Sequence, residues 1–529
     1  MKIGHIVCFI FSVIGLLALV AYFFPQEGVA VGEVELRFPT LAEVLQTEEE
    51  EIPADTIPED TLTTEELMQL RMDALKAEKE SEFLDYCRTN PARIYMPGDS
   101  IGYLDPFFDA LEAAREHPMR IMHYGDSQLE GDRITSVLRE AFQERFGGSG
   151  VGLVPAVQTI GTYTLSQTAE PAEPARHLVY GPKTMRLEGG DYGPMGQTAT
   201  VDGQATFSFT TRMRDTYPNA SRFSQLTLMA GAPVDARAIV GQDTLRLTPA
   251  QGSDNLYFYT ARLGGARTTA TLTVEGQADL YGILLDGAGG VSVDNIPMRG
   301  CSGTVFTSIS QATLAPFFRR ENVRLVILQY GGNSVPYLKD QKGIDAYMNG
   351  LKRQINYLRR LQPEACFLFI GPSDMSTSIE GKMQTYPLLP RVVEALKRMA
   401  SESGVAYWDL YAAMGGRNSM MKWVDSQMAG PDYVHFTPKG ARHVGKILYE
   451  TLEFYHKFYR FRTGKDRLKL SADSTELVVD TAASAPTHVA ADTAHAPKRT
   501  AADSAATTRT GHKTQTATDS TRGHRNNPI

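Results

Sequence analysis

The sequence predicts an α/β domain, a parallel sheet with helices on both faces, interrupted by an inserted all-β domain. Three observations carry this. Residues 91–150 and 291–460 alternate apolar runs with helical periodicity, the rhythm of a doubly wound sheet. Between them, residues 151–290 hold short β-type runs separated by turn signals. The apolar run Met119–Tyr124 then ends in Gly125-Asp126-Ser127, a sharp turn at the strand edge where open α/β sheets carry their ligands.

Composition narrows the class. The 529 residues exceed what one core organises, and a 42% apolar fraction with mean hydropathy of -0.24 describes globular domains with a polar excess. A net charge of -8 and a pI near 5.8 argue against nucleic-acid binding, for which a basic face would be expected. Cys8, Cys87, Cys301 and Cys366 form no CxxC pair and no zinc spacing, so neither a metal site nor a disulfide framework is expected. One disulfide remains open; free, buried thiols are the favoured alternative.

In chain order, residues 6–24 form a charge-free apolar run about long enough to cross a bilayer, so residues 1–30 read as a membrane anchor or a cleaved signal. Gly28-Val29-Ala30 keeps cleavage open. The remainder is expected outside the cytoplasm, since no second such run occurs. Residues 31–90 read as an acidic linker, with Glu48–Glu51, followed by a helix that Thr63-Thr64-Glu65-Glu66 would start. A short helix is expected over Asp105–Glu116, and a longer one from Ser127 to about Phe146. Gly147-Gly148-Ser149-Gly150 lacks the Lys-Ser/Thr ending of a phosphate loop and reads as a hinge. Strands are expected at Ala205–Thr210, Ser224–Ala230, Asp243–Thr248, Thr268–Val274 and Ala278–Leu285. After Gly290 come strands at Val323–Tyr330, Ala365–Ile370 and Val405–Leu410. Helices lie between them, around Ile344–Leu358 and Leu388–Met399, and a last one runs from Pro438 to about Tyr455. The Ala/Thr/Ser-rich residues 461–529 read as disordered.

Five positions fall where the α/β domain has loops over its strand ends: Ser127, Gly300, Asn333, Asp432 and His435. A serine hydroxyl becomes a nucleophile when a base takes its proton, and His435 can be that base. An Asp three residues earlier can bind the other ring nitrogen and set its tautomer. The N–H groups of Ser127 and Gly300 and the Asn333 amide can supply oxyanion donors. A second copy, Gly98-Asp99-Ser100, has no strand before it and reads as a turn. His123 reads as a buried strand residue, and Asp374 and Asp409 read as caps.

In that order and context, Ser127, Gly300, Asn333 and the Asp432-x-x-His435 pair resemble the four blocks of the SGNH (GDSL-like) hydrolase family. The long β insertion makes the pattern similar to the bacterial peptidoglycan O-acetylesterases, in which a carbohydrate-binding-module-like jelly roll interrupts the hydrolase domain. The resemblance implies a flavodoxin-like SGNH hydrolase domain with an inserted jelly roll. It also implies loss of the 6-O-acetyl group of N-acetylmuramic acid through an acetyl-serine, without cofactor or metal. It assigns Ser127 as nucleophile, His435 as base, Asp432 as its orienter, and Ser127, Gly300 and Asn333 as the oxyanion hole. The expected partners are an O-acetylated glycan and, through residues 6–24, the membrane, at the periplasmic face of a bacterial envelope. O-acetyl transfer by the same triad and non-catalytic glycan binding are the alternatives.

Overall fold

Strand β1 (Met119–Gly125) has β2 (Val291–Pro297) on one side and β3 (Val323–Gln329) on the other, all parallel. Beyond β3 follow β4 (Cys366–Ile370) and β5 (Ala406–Trp408), giving the order β2-β1-β3-β4-β5. This is the order of flavodoxin-like sheets, with a topological switch point beside β1. A short antiparallel strand, Ile94–Tyr95, closes the far edge. The computed structural model describes residues 29–31, 34–36, 63–171, 174–187, 191–466, 468–470 and 477–479.

The strands are mostly apolar because both faces are covered, with Arg120, His123 and Asp294 as buried exceptions. Met122, Tyr124, Val326, Leu328, Phe367 and Phe369 point into a core under the helices Gln311–Arg320, Gln341–Leu361 and Leu389–Glu402. Their alternates Ile121, Leu325, Ile327, Leu368 and Ile370 face Asp105–Glu112, Thr135–Phe146 and Pro438–Arg462. Helix Thr64–Thr89 starts with a capping box between Thr63 and Glu66 and packs Phe83 and Tyr86 against Phe454 and Phe458.

The insertion is all antiparallel. Its central strand, Thr269–Asp286, pairs first with Gln197–Thr211 and Asp235–Val240. It shifts register between Leu280 and Gly282, then pairs with Phe223–Ala230 and Gly152–Val154. One bulged strand thus serves two leaves, the means by which sandwiches turn their corners. Phe207, Phe209, Leu226, Leu228, Leu272 and Val274 fill the space between. The way out and the way back touch: Gly287 N–H donates to Ser149 O (2.7 Å) and Val291 N–H to Gly147 O (2.9 Å). A Cβ on Gly290, where φ is 79°, would stand 2.1 Å from the Gly147 carbonyl carbon, so no side chain fits.

The two domains share more than a hinge. Leu153, Met229, Phe258, Tyr281 and Leu284 of the β domain bury in the same core as Met122, Tyr124 and Phe317. Beneath them, buried Arg120 meets Asp286 (2.5 Å), Asp294 (2.6 Å) and Glu321 (3.0 Å), and Asp294 also accepts the Leu153 N–H (2.8 Å).

Several expectations need correction. The Ser127 segment is not the start of one helix: a short 3-10 turn, Ser127–Asp132, is broken at Gly131 (φ 74°) and Asp132 (φ 58°), and the α-helix begins at Thr135. The break exists because Asp132 turns inward to Arg139 (2.6 Å) and Thr164 (2.6 Å), tertiary partners invisible to local periodicity. The two strands expected around Gly276 are one, since glycine there lies inside the sheet. Leu256–Arg267 and Asp235–Val240 are strands beyond those expected, and Gly264-Gly265 sits inside the first of them, where its register shifts. Val29–Val31 pairs with Val34–Leu36, so the boundary drawn at residue 30 falls inside a strand pair. The last helix runs to Arg462, and Leu468–Leu470 pairs with Leu477–Val479, so part of the stretch 461–529 expected to lack order carries secondary structure; residues 480–529 lie outside the described residues. Cys87, Cys301 and Cys366 are free thiols. Among the described residues no helix is long and apolar enough to cross a membrane; the run 6–24 lies outside them.

Candidate active site

β1 ends at Gly125 with no room for a side chain: a Cβ there would meet Leu129 at 2.8 Å. The chain therefore turns at once. The Asp126 carboxylate accepts the Gln128 N–H (3.0 Å) and holds Ser127 at the head of the turn. The other half of the site comes from 305 residues further on, in the loop before helix Pro438–Arg462. Ser127 Oγ lies 2.8 Å from His435 Nε2, and His435 Nδ1 lies 2.7 Å from Asp432 Oδ2. The second Asp432 oxygen accepts the N–H groups of Val434 (3.0 Å) and His435 (3.1 Å). Partial burial pushes this carboxyl up, but those hydrogen bonds outweigh it and hold Asp432 below the usual carboxylate range. The arrangement can move a proton from the serine hydroxyl to the imidazole while the carboxylate fixes the ring.

Gln128 was not singled out from the sequence. Its amide Nε2 donates to Val434 O (2.8 Å) and its Oε1 accepts the Phe436 N–H (3.2 Å). One side chain beside the serine thus grips the backbone on both sides of His435. Arg133 adds a bond to Phe436 O (2.7 Å). Proximity to Ser127 was the only available sequence signal.

Asn333 follows β3 in a short 3-10 helix, Gly332–Tyr337. Its Nδ2 donates to Asp126 Oδ2 (2.8 Å) and, more weakly, to Cys301 O (3.3 Å). The amide is thus held in place by Asp126 rather than standing free. Burial pushes the Asp126 carboxyl up to about 6, against the bonds from Gln128 and Asn333 and the nearby His435 ring. Gly300 sits exposed at a turn closed by Cys301 N–H to Met298 O (2.9 Å), with a φ of 73° that favours glycine. It neighbours Cys301, whose carbonyl Asn333 touches, but does not line the cavity described next.

That cavity, about 200 Å³, is walled by Asp126, Ser127, Asn333, Tyr337, Tyr386 and His435. A second, about 320 Å³, opens between the two domains behind Glu130–Asp132. His123 is fully buried between Gln329 (3.0 Å) and Thr135 (3.1 Å), and burial pushes its ring down to about 4. Asp374 accepts the Met420 N–H (2.8 Å) and Asp409 the Ala412 N–H (2.9 Å), both capping helices. Ser100 lies exposed after the turn Pro97–Asp99. Among the described residues no cluster of side chains has the makings of a metal site.

Fold and site together define an esterase of the SGNH type, acting on ester bonds. Residues 259–443 match the family described as GDSL-like Lipase/Acylhydrolase. The matched stretch holds Gly300, Asn333, Asp432 and His435. Ser127 lies outside it, 173 residues before Gly300, because the insertion intervenes. No curated protein matches the chain by sequence. Among solved structures, a peptidoglycan O-acetylesterase shares the fold at a TM-score of 0.56 and 20% identity, over 69% of this chain and 99% of that one. A carbohydrate esterase family 2 enzyme with a carbohydrate-binding domain, from Corynascus thermopiles (Myceliophthora fergusii), aligns at 0.24 and 12%, over 50% of this chain and 98% of that one. An acetyl xylan esterase aligns at 0.23 and 14%, over 31% and 81%.

Proposed function

We propose that this chain is a serine esterase that removes O-acetyl groups from an envelope polysaccharide, foremost the N-acetylmuramic acid of peptidoglycan. The observation that carries it is the Ser127–His435–Asp432 relay, at 2.8 and 2.7 Å, beside a cavity at the carboxyl edge of the sheet. The substrate class is supported by the shared fold with a peptidoglycan O-acetylesterase, whose whole length the likeness spans.

In this reading Ser127 Oγ attacks the acetyl carbonyl carbon as its proton passes to His435 Nε2. Asp432 holds the Nδ1–H and stabilises the imidazolium. The oxyanion takes donors from the Ser127 N–H and from Asn333, where it displaces the 3.3 Å bond to Cys301 O. The sugar oxygen leaves with the proton from His435. Water, deprotonated by the same ring, then cleaves the acetyl-serine to acetate. The His435 and Asp432 side chains are 41% and 50% exposed, so water reaches the acyl-enzyme, which favours hydrolysis over transfer to a second sugar.

Residues 6–24 would tether the enzyme to the membrane on the periplasmic side, or direct its secretion there. The test is acetate release from O-acetylated peptidoglycan by the full chain. Ser127→Ala and His435→Ala should each abolish release and Ser100→Ala should not. Near-normal release by a folded Ser127→Ala protein would refute the assignment.

A further inference from the structure

Large apolar side chains at a surface face water at a cost, and singly they need no explanation. Two tyrosines, one at the cavity of Ser127 and one at the end of the turn that Ser127 begins, differ because of where they stand. Tyr337 is 83% exposed, more than any other large apolar residue among those described, yet it walls the catalytic cavity. It closes the same 3-10 helix that carries Asn333, four residues on, and Pro336 stiffens the chain just before it. At Gly131, where the turn that begins at Ser127 ends, stands Tyr163, 41% exposed, supplied by the β insertion. Its N–H donates to Gly131 O (3.0 Å), and a Cβ on Gly131 would lie 3.4 Å from its ring. Its neighbours Thr162 and Thr164 turn into the interdomain cavity, while Tyr163 stays on the surface.

We infer that Tyr337 and Tyr163 are two aromatic platforms that hold sugar rings of an extended glycan beyond the reacting ester. The inference rests on the proposed polysaccharide substrate and deepens it. A pyranose presents a face of C–H groups that is apolar and slightly positive. An aromatic face is apolar and electron-rich, so the two pack with little entropy lost by a side chain of two torsions. The catalytic cavity holds about 200 Å³, room for the acetylated unit but not for a chain of sugars. Neighbouring units then extend over the surface beyond the cavity, which Tyr337 borders, while Tyr163 stands at the end of the serine turn. The insertion would contribute to specificity through Tyr163, on the loop that it lays against Gly131.

The test uses the full chain. Tyr337→Ala should raise KM for O-acetylated peptidoglycan about tenfold with kcat little changed, as expected when binding made equally in ground and transition states is lost. Tyr163→Ala should act in the same direction, and Tyr337→Phe should restore KM, since the ring rather than the hydroxyl carries the contact. The kcat/KM ratio between polymer and a small chromogenic acetyl ester should fall at least fivefold in each alanine variant. An unchanged ratio overturns the inference, as does a Phe variant no better than Ala. If the parent chain releases no acetate from the polymer, the proposed substrate fails but the platforms are still tested. Ser127→Ala protein is then cosedimented with insoluble peptidoglycan, with and without the tyrosine substitutions. Weaker cosedimentation of the alanine variants supports the platforms, and equal cosedimentation overturns them.

Discussion

Gln128→Met removes the two hydrogen bonds that tie the serine turn to the His435 loop while nearly keeping the volume. The side chain is buried, at 8% exposure, and its partners are the Val434 carbonyl and the Phe436 N–H. Each lost bond contributes about 1 kcal/mol net, and leaving a buried partner unpaired costs about 1–3 kcal/mol. The loop can recover part of this by shifting, but a shift moves His435 away from Ser127 Oγ. Spread over two bonds, roughly 3 kcal/mol against the aligned state lowers kcat on a small acetyl ester by about 10². KM should move little, since Gln128 faces the loop through these bonds. Gln128→Glu gives an internal control. A carboxylate can still accept from Phe436 N–H but cannot donate to Val434 O, so a loss of about tenfold is expected, between parent and Met. The assay is steady-state turnover at neutral pH, with thermal melts to verify folding. A folded Gln128→Met protein within twofold of the parent would show that the His435 loop is held by Arg133 and its own turn, and the argument for a clamp would be wrong.

Three further outcomes follow from the same geometry. Asn333→Ala should lower kcat by about 10²–10³ with little change in KM, because an oxyanion donor acts mainly in the transition state; a change confined to KM would instead make Asn333 a substrate-binding residue. Asp126 is raised to about 6 in the folded protein, so the fold binds its proton more tightly than the unfolded chain. Its contribution to stability is full below about pH 4 and is lost as pH rises through 6, a swing of about 3 kcal/mol. Asp126→Asn should therefore change the stability difference from the parent in its own favour by that amount between pH 4 and pH 7, and a pH-independent difference in urea melts would contradict the shift. Arg120→Met should destabilise by about 3–5 kcal/mol, since it strands Asp286 and Asp294 without a cation. An unchanged urea midpoint would mean that the two domains do not depend on this network.

Much of the site is legible in the linear chain because its parts are local. Asp432 and His435 are three residues apart on one loop, a spacing that lets a carboxylate reach both the ring and two backbone N–H groups. The choice of Ser127 over Ser100 is also local: the strand Met119–Gly125 runs straight into one, whereas the short strand Ile94–Tyr95 ends before Met96 and Pro97 separate it from the other copy. Composition and the alternation of apolar runs likewise disclose the parallel sheet, since strands covered on both faces are largely apolar.

What stayed hidden were contacts between segments far apart in the chain. Nothing local shows that Asn333 will find Asp126 across 207 residues, that Gln128 will grip the loop 306 residues away, or that Asp132 will break a helix to reach Arg139 and Thr164. The insertion looked separable from the sequence, bounded by glycines at both ends. Only the fold shows it buried in the same core as the hydrolase sheet and clasped by Arg120. The physical reason is one and the same. Propensity and periodicity report the energy of a residue with its near neighbours, whereas a buried carboxylate or amide takes whichever partner the packed chain brings to it.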